Sequence, residues 1–338
     1  MAVLLGLLAS LVANGAAQAL PPPAPNTHLG NVYTTGQLIS QPFVLPTSKV
    51  DYLYSSGLGP PINVPLRTFT RIGHWSRVYD ALPNLPPWVV PRTSVWSPDV
   101  RKVGDSYVMW FSAVANDVPA GDDQTNPRCL GWATSSSPYG PFVSNATQPA
   151  LCQWSEFGDI DPRTFMDGGQ EYLLWKSDDN AGESPPTSTF KPTKLWSQKL
   201  AADGVTLEGS PTLLLTPDRS WEVPLIEAPD MLKSGGRYYL FFSGAASWFP
   251  QAGIGVVFCD SPSGPCRDVY KGPWLGSSLL GSGPDEETLF EQNGAIWLLY
   301  APQAVYYHNS YPFLGVSRVG IESGRPYVAT FDGIEPNP

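Results

Sequence analysis

Histidine and cysteine are scarce in this chain of 338 residues: three of the first, His28, His74 and His308, and four of the second. The histidines stand apart and no Cys-x-x-Cys occurs, so the ligand spacing of a zinc site is missing. Charged residues make up only 15% and acids outnumber bases, giving a net charge of −10. That balance argues against nucleic acid or an anionic membrane as a partner, whereas a neutral polysaccharide tolerates it. No long segment repeats its apolar residues with a period of 3.6, so helices should be few. No apolar run reaches the roughly 20 residues that a membrane span needs. The run Leu4 to Val12, followed by Ala17-Gln18-Ala19, fits a secretory signal peptide over residues 1–19, although it lacks an early Lys or Arg.

Proline and glycine are plentiful instead, 37 and 32 of them, beside 41 aromatics (12 + 15 + 14). Together they describe many short strands joined by turns, and nothing resembling a linker divides residues 20–338, which read as one domain. The even cysteine count in a secreted chain suggests two bridges, and the favoured pairing is Cys129 with Cys152 and Cys259 with Cys266; four reduced thiols are the alternative. Asn145-Ala146-Thr147 is a glycosylation sequon in a polar loop.

Aligned on itself, the chain yields five copies of one hairpin. The aromatic that opens each second strand falls at Tyr52, Tyr107, Tyr172, Tyr239 and Trp297, at intervals of 55, 65, 67 and 58 residues. A weaker repeat, such as Leu130-Gly131-Trp132 or Leu314-Gly315-Val316, follows each hairpin and supplies further strands. Repetition at this period, with four strands per repeat, predicts an all-β chain built as a five-bladed propeller of four-stranded blades. Near-continuous apolar runs such as Tyr239 to Phe242 suit strands buried on both faces.

The first strand of each propeller blade lines the central channel, so residues at its beginning converge on one end of the axis. Those before the hairpin prolines are Gln41, Ser97, Asp161 and Ala228, with Glu227 one step further back. The fifth repeat lacks that proline and offers Asp285, Glu286 and Glu287 after Pro284. Asp before Pro is a common turn opener. The repeated register nevertheless favours a cluster of carboxylates over one small site, which is what cleavage of a glycosidic bond requires.

The chain resembles glycoside hydrolase family 43, five-bladed propellers that include arabinanases, α-L-arabinofuranosidases and β-xylosidases. Trp96-Ser97-Pro98-Asp99-Val100, Ile160-Asp161-Pro162, Glu227-Ala228-Pro229 and the outer turns around Ser137-Pro138 and Ser261-Pro262 carry the resemblance, from about Pro42 onward. It implies that Glu227 is the general acid, that Asp161 orients it and tunes its pKa, and that the reaction inverts configuration. The family's general base is an Asp at the position held here by Gln41, and an amide does not take a proton from water as a carboxylate does. Asp285 or Glu286 is the expected replacement. Where relatives carry Gly-Pro-Gly-His this chain has Gly283-Pro284-Asp285-Glu286, so a channel calcium is doubtful and no cofactor is required.

Trp96, Asp99, Trp221, Trp248, Phe249 and Glu286 are the candidate sugar contacts, with packing between blades as the alternative for the aromatics. The expectation is a secreted monomeric hydrolase of arabinose- or xylose-containing polysaccharide; a carbohydrate-binding relative that lost catalysis at Gln41 is the alternative. Retaining fructan-cleaving propellers need an N-terminal nucleophilic Asp motif that is absent.

Overall fold

The structure, a computed structural model, describes residues 31–34, 39–57, 59–116, 127–178, 192–245, 251–276, 282–303 and 313–329. The expected signal segment, Trp248 and Phe249 lie outside the described residues. Among these residues the one helical element is a single 3-10 turn, Trp154–Glu156. The rest is strand and turn, in five antiparallel sheets set in a ring as a five-bladed β-propeller.

Blade one holds Phe43–Leu45, Asp51–Tyr54, Pro65–Phe69 and Tyr79–Asp80. Blade two holds Val95–Val103, Ser106–Val114 and Arg128–Ser135; isolated bridges from Leu130 to Leu151 and from Thr134 to Val143 mark its fourth position. Blade three runs Asp159–Asp167, Gln170–Ser177, Lys194–Leu200 and Leu207–Leu215, and blade four Ile226–Ser234, Arg237–Gly244, Gly253–Cys259 and Cys266–Asp268. Blade five comprises Ser282–Gln292, Ala295–Gln303, Phe313–Glu322 and Arg325–Ala329. Its third strand also pairs with Asn31–Thr34, so the first strand of the described chain is sewn to the last blade.

Local sequence explains the hairpins. In blades three, four and five the two strands nearest the axis are joined by Gly168-Gly169, Gly235-Gly236 and Asn293-Gly294, with positive φ at both residues of each pair. Such two-residue turns match the twist of the flanking strands and hold them in register. The apolar runs are explained by the ring. In the second strand of blade four, Leu240 and Phe242 pack toward blade three, while Tyr239 and Phe241 pack toward blade five. Blade two divides likewise, Val108 and Trp110 to one side and Met109 and Phe111 to the other. Five apolar clusters therefore fill the five spaces between neighbouring blades. Both expected disulfides are present, each tying a third strand to the segment outside it.

Candidate active site

Each inner strand is interrupted at one equivalent point. In blade three Arg163 faces Leu174 and Ile160 faces Lys176, so Asp161 and Pro162 together oppose Trp175 alone. The same two-against-one bulge occurs at Ser97-Pro98, Ala228-Pro229 and Glu286-Glu287. The first residue of every bulge has positive φ: Ser97 at 51°, Asp161 at 55°, Ala228 at 52° and Glu286 at 53°, with Gln41 at 47° in the matching place of blade one. None is glycine, so each is held in a sparsely populated conformation that the surrounding structure must stabilise. A bulge re-aims a side chain, and here four of them, with the positive-φ Gln41 of blade one, turn side chains or amides toward the axis.

The hydrogen bonds confirm that convergence. Gln41 of blade one donates through Nε2 to Asp161 Oδ1 of blade three at 2.7 Å, although these blades are not neighbours in the ring. Ser97 Oγ donates to the same oxygen at 2.6 Å, and the Ala228 amide donates to Asp161 Oδ2 at 3.0 Å. Three donors from three blades thus fix one carboxylate. Ser56 Oγ donates to the Gln41 carbonyl oxygen, so both ends of that amide are engaged.

Blade five follows the same pattern. Despite lacking the proline, it keeps the bulge, with Glu287 where the other blades carry proline. Glu286 therefore shares the register of Gln41 and Asp161, while Asp285 shares that of Glu227. Glu286 accepts from the Gln41 amide and from Ser40 Oγ through Oε2, both at 2.8 Å. Asp285 is only 2% exposed. Glu287 is fully buried and accepts from Ser243 Oγ at 2.5 Å.

Glu227 meets a residue that the sequence did not mark. Lys176 Nζ, from the second strand of blade three, donates to Glu227 Oε2 at 3.0 Å and lies 3.3 Å from Asp178 Oδ1. Burial works against the lysine charge, but Glu227, Asp178 and Asp161 together hold the ammonium above the usual lysine value. Burial pushes the Glu227 carboxyl up; Lys176 opposes that and nearby Asp161 adds to it. Its side chain keeps 18% exposure, which an acid that must reach a substrate needs. Glu286 is pushed up to about 7 by burial, against the two hydrogen bonds it accepts and with Glu227 and Asp161 adding to the rise. Burial raises Asp178, Glu227 and Glu286 together, and Lys176 is the buried ammonium that opposes the rise at the first two.

The other expected sugar contacts differ in their surroundings. Asp99, fully buried, sits two residues beyond the Ser97 bulge, accepts from Thr164 Oγ1 at 2.5 Å and faces Arg163 at 3.7 Å. Arg163 also faces Asp230 at 3.7 Å, making an ionic layer beneath the carboxylates rather than a sugar-binding wall. Trp221 stacks on Phe242 at 5.9 Å, over Gly244, where a Cβ would stand 2.3 Å from its ring. That is packing within the blade. Trp96 keeps partial exposure, with the Arg128 guanidinium 3.4 Å over its ring. Asn145 is exposed. Away from the axis, Asp218, Glu222 and Asp268 bring carboxylate oxygens within 4.8 Å of one another, but Arg219 already stands among them, 3.1 Å from Asp268.

Known proteins resemble this chain in sequence and in fold. The family model described as glycosyl hydrolases family 43 matches residues 35–310. An extracellular exo-α-(1→5)-L-arabinofuranosidase of Streptomyces chartreusis is 27% identical over 158 residues, which are 45% of this chain and 43% of that protein; the match thus spans less than half of that relative. A β-D-galactofuranosidase of Aspergillus niger is 24% identical over 291 residues, covering 80% of this chain and 71% of its own length. Among solved structures, a thermostable family-43 glycoside hydrolase superposes with a TM-score of 0.73 at 23% identity, over 90% of this chain and 98% of that one.

Proposed function

The chain belongs to glycosyl hydrolase family 43, and from that membership we propose that it hydrolyses arabinose- or xylose-containing polysaccharide outside the cell, with Glu227 as general acid. The observation that carries this reading is the setting of Glu227. It is a part-exposed carboxyl, pushed up by burial against the opposing charge of Lys176, one residue from the Ala228 amide that grips Asp161. A general acid must hold its proton at the working pH and yield it to the leaving oxygen as the bond breaks. Asp161, fixed by three donors, raises the proton affinity of Glu227 by its negative charge, which is the role the family resemblance gives it. The named activities of the relatives, on arabinofuranosides and galactofuranosides, support a five-carbon or furanose sugar as the unit released. Two disulfides and the leader-like residues 1–19 support an extracellular place of action.

The test is release of reducing sugar from arabinan, arabinoxylan and xylan by the purified protein. Release from at least one glycan, falling roughly 10²–10⁴-fold in Glu227→Gln, is the expected result. Binding of a glycan without release, unchanged by the substitution, would identify a carbohydrate-binding relative instead.

A further inference from the structure

Single-displacement hydrolysis needs a second carboxylate to take a proton from the attacking water, and the usual place for it is filled by Gln41. Five other acids lie in or beside the cluster, and their surroundings differ. Asp161 spends both oxygens on three donors. Asp178 is buried against Lys176. Asp285 is 2% exposed, and Glu287 is fully enclosed with Ser243 as its donor. Glu286 alone in this set combines partial exposure with an oxygen, Oε1, that receives no hydrogen bond among the described residues. Its Oε2 is anchored to the backbone of residue 41 itself, so this carboxylate lies against the residue that replaces the base.

We propose that Glu286 is the general base, delivered from blade five through the bulge that blade shares with the others, and that Gln41 has become the clamp that orients Asp161. This rests on the hydrolase reading above. In the reaction, Glu286 Oε1 takes a proton from water as the water oxygen bonds to the anomeric carbon. The bond from that carbon to the glycosidic oxygen breaks, and Glu227 gives its proton to the departing oxygen. A sugar of inverted configuration and a free alcohol leave; Glu286 then returns a proton to solvent and Glu227 regains one. The tie from the Gln41 amide to Glu286 Oε2 keeps the base in place, and a Gln at 286 retains an oxygen for that tie.

The experiment compares wild type, Glu286→Gln, Asp285→Asn and the double variant Glu286→Gln with Gln41→Asp, on one cleaved glycan and on an aryl glycoside with a good leaving group. Glu286→Gln is expected to lose about 10²–10⁴-fold in kcat on both substrates, because a better leaving group does not relieve the need to deprotonate water. Glycan affinity and Tm should hold. Azide, which attacks without losing a proton, should restore turnover with a glycosyl azide as product, and Gln41→Asp should restore part of hydrolysis by returning a carboxylate to blade one. An active wild type with an equally active Glu286→Gln variant would overturn the assignment and leave the hydrolase reading intact. So would a loss that neither azide nor Gln41→Asp repairs, since Glu286 would then only position its neighbours. A wild type that binds glycans but cleaves none overturns both.

Discussion

Lys176 sets the charge state of the acid it touches. It is the buried cation that faces Glu227, and removing it takes away the ammonium that Glu227, Asp161 and Asp178 share. The Glu227 carboxyl, already raised by burial, should then rise further, because Lys176 is the partner that opposes the rise. Lys176→Met is therefore expected to move the alkaline limb of the kcat/KM profile to higher pH, and to lower kcat as the orientation of Glu227 loosens. A profile that keeps its alkaline limb would show that Glu227 does not govern it. Glu227 and Asp161 are legible in the sequence because each precedes a proline in a repeated register. Lys176 is not, although a signal exists: its register equivalents in the second strands of the other blades are Ser112, Ser243 and Ala301. A charge appearing where the repeats place a small residue marks a site side chain. The registers of Asp285 and Glu286 depend on a bulge that the missing proline of blade five conceals in the sequence.

At the scale of the strand, the inner hairpins of blades two to five share one design, a two-residue bulge near the start and a tight turn at the end. The bulge aims one residue at the axis; beyond it, residues alternate between the axis and the neighbouring blades. The second strand has no such break, and its residues alternate between two blade interfaces. Leu240 is fully buried between blades three and four, whereas Met166, at the end of an inner strand, is 53% exposed. Leu240→Ala should cost about 2–5 kcal/mol, as deletion of buried methyl groups in a packed interior does, while Met166→Ala should stay within about 0.5 kcal/mol. Urea midpoints of the two variants decide this, and equal midpoints would mean that the blade interfaces are not close-packed. The strands themselves were legible from apolar runs bounded by Gly-containing turns. Trp221 and Asp99 were not, because the bare sequence of a loop or a strand end does not tell a sugar platform from a residue packed on Phe242 or paired with Arg163.

The whole ring concentrates acids in its interior, and this fixes how its stability responds to pH. Burial pushes Asp159 up to about 8, against the amide of Gln153, and Glu222 up to about 7, against the amide of Asp218. Asp230 is pushed up to about 6 against Arg163, and Glu286 to about 7. Each is raised above its value in the unfolded chain, near 4. Between about pH 4 and pH 8 the folded protein thus binds more protons than the unfolded one, and stability falls as pH rises through that window. The net charge of −10 acts in the same direction, since ionisation adds to repulsion within the compact state. Thermal unfolding at pH 5 should therefore occur several degrees above unfolding at pH 8, with proton release on unfolding in the window between. A Tm that rises from pH 5 to pH 8 would show that these carboxylates are ionised and paired in the folded ring. Two opposing demands meet at the axis: a propeller closed by five apolar seams tolerates neutral acids in its channel at low cost, and hydrolysis needs one of them to keep its proton while another gives its proton up. The bulges meet both demands by turning acids from different blades toward one another, so that Glu227 and Glu286 sit in one electrostatic field yet differ in the partner that tunes each, Lys176 for the first and the amide of Gln41 for the second.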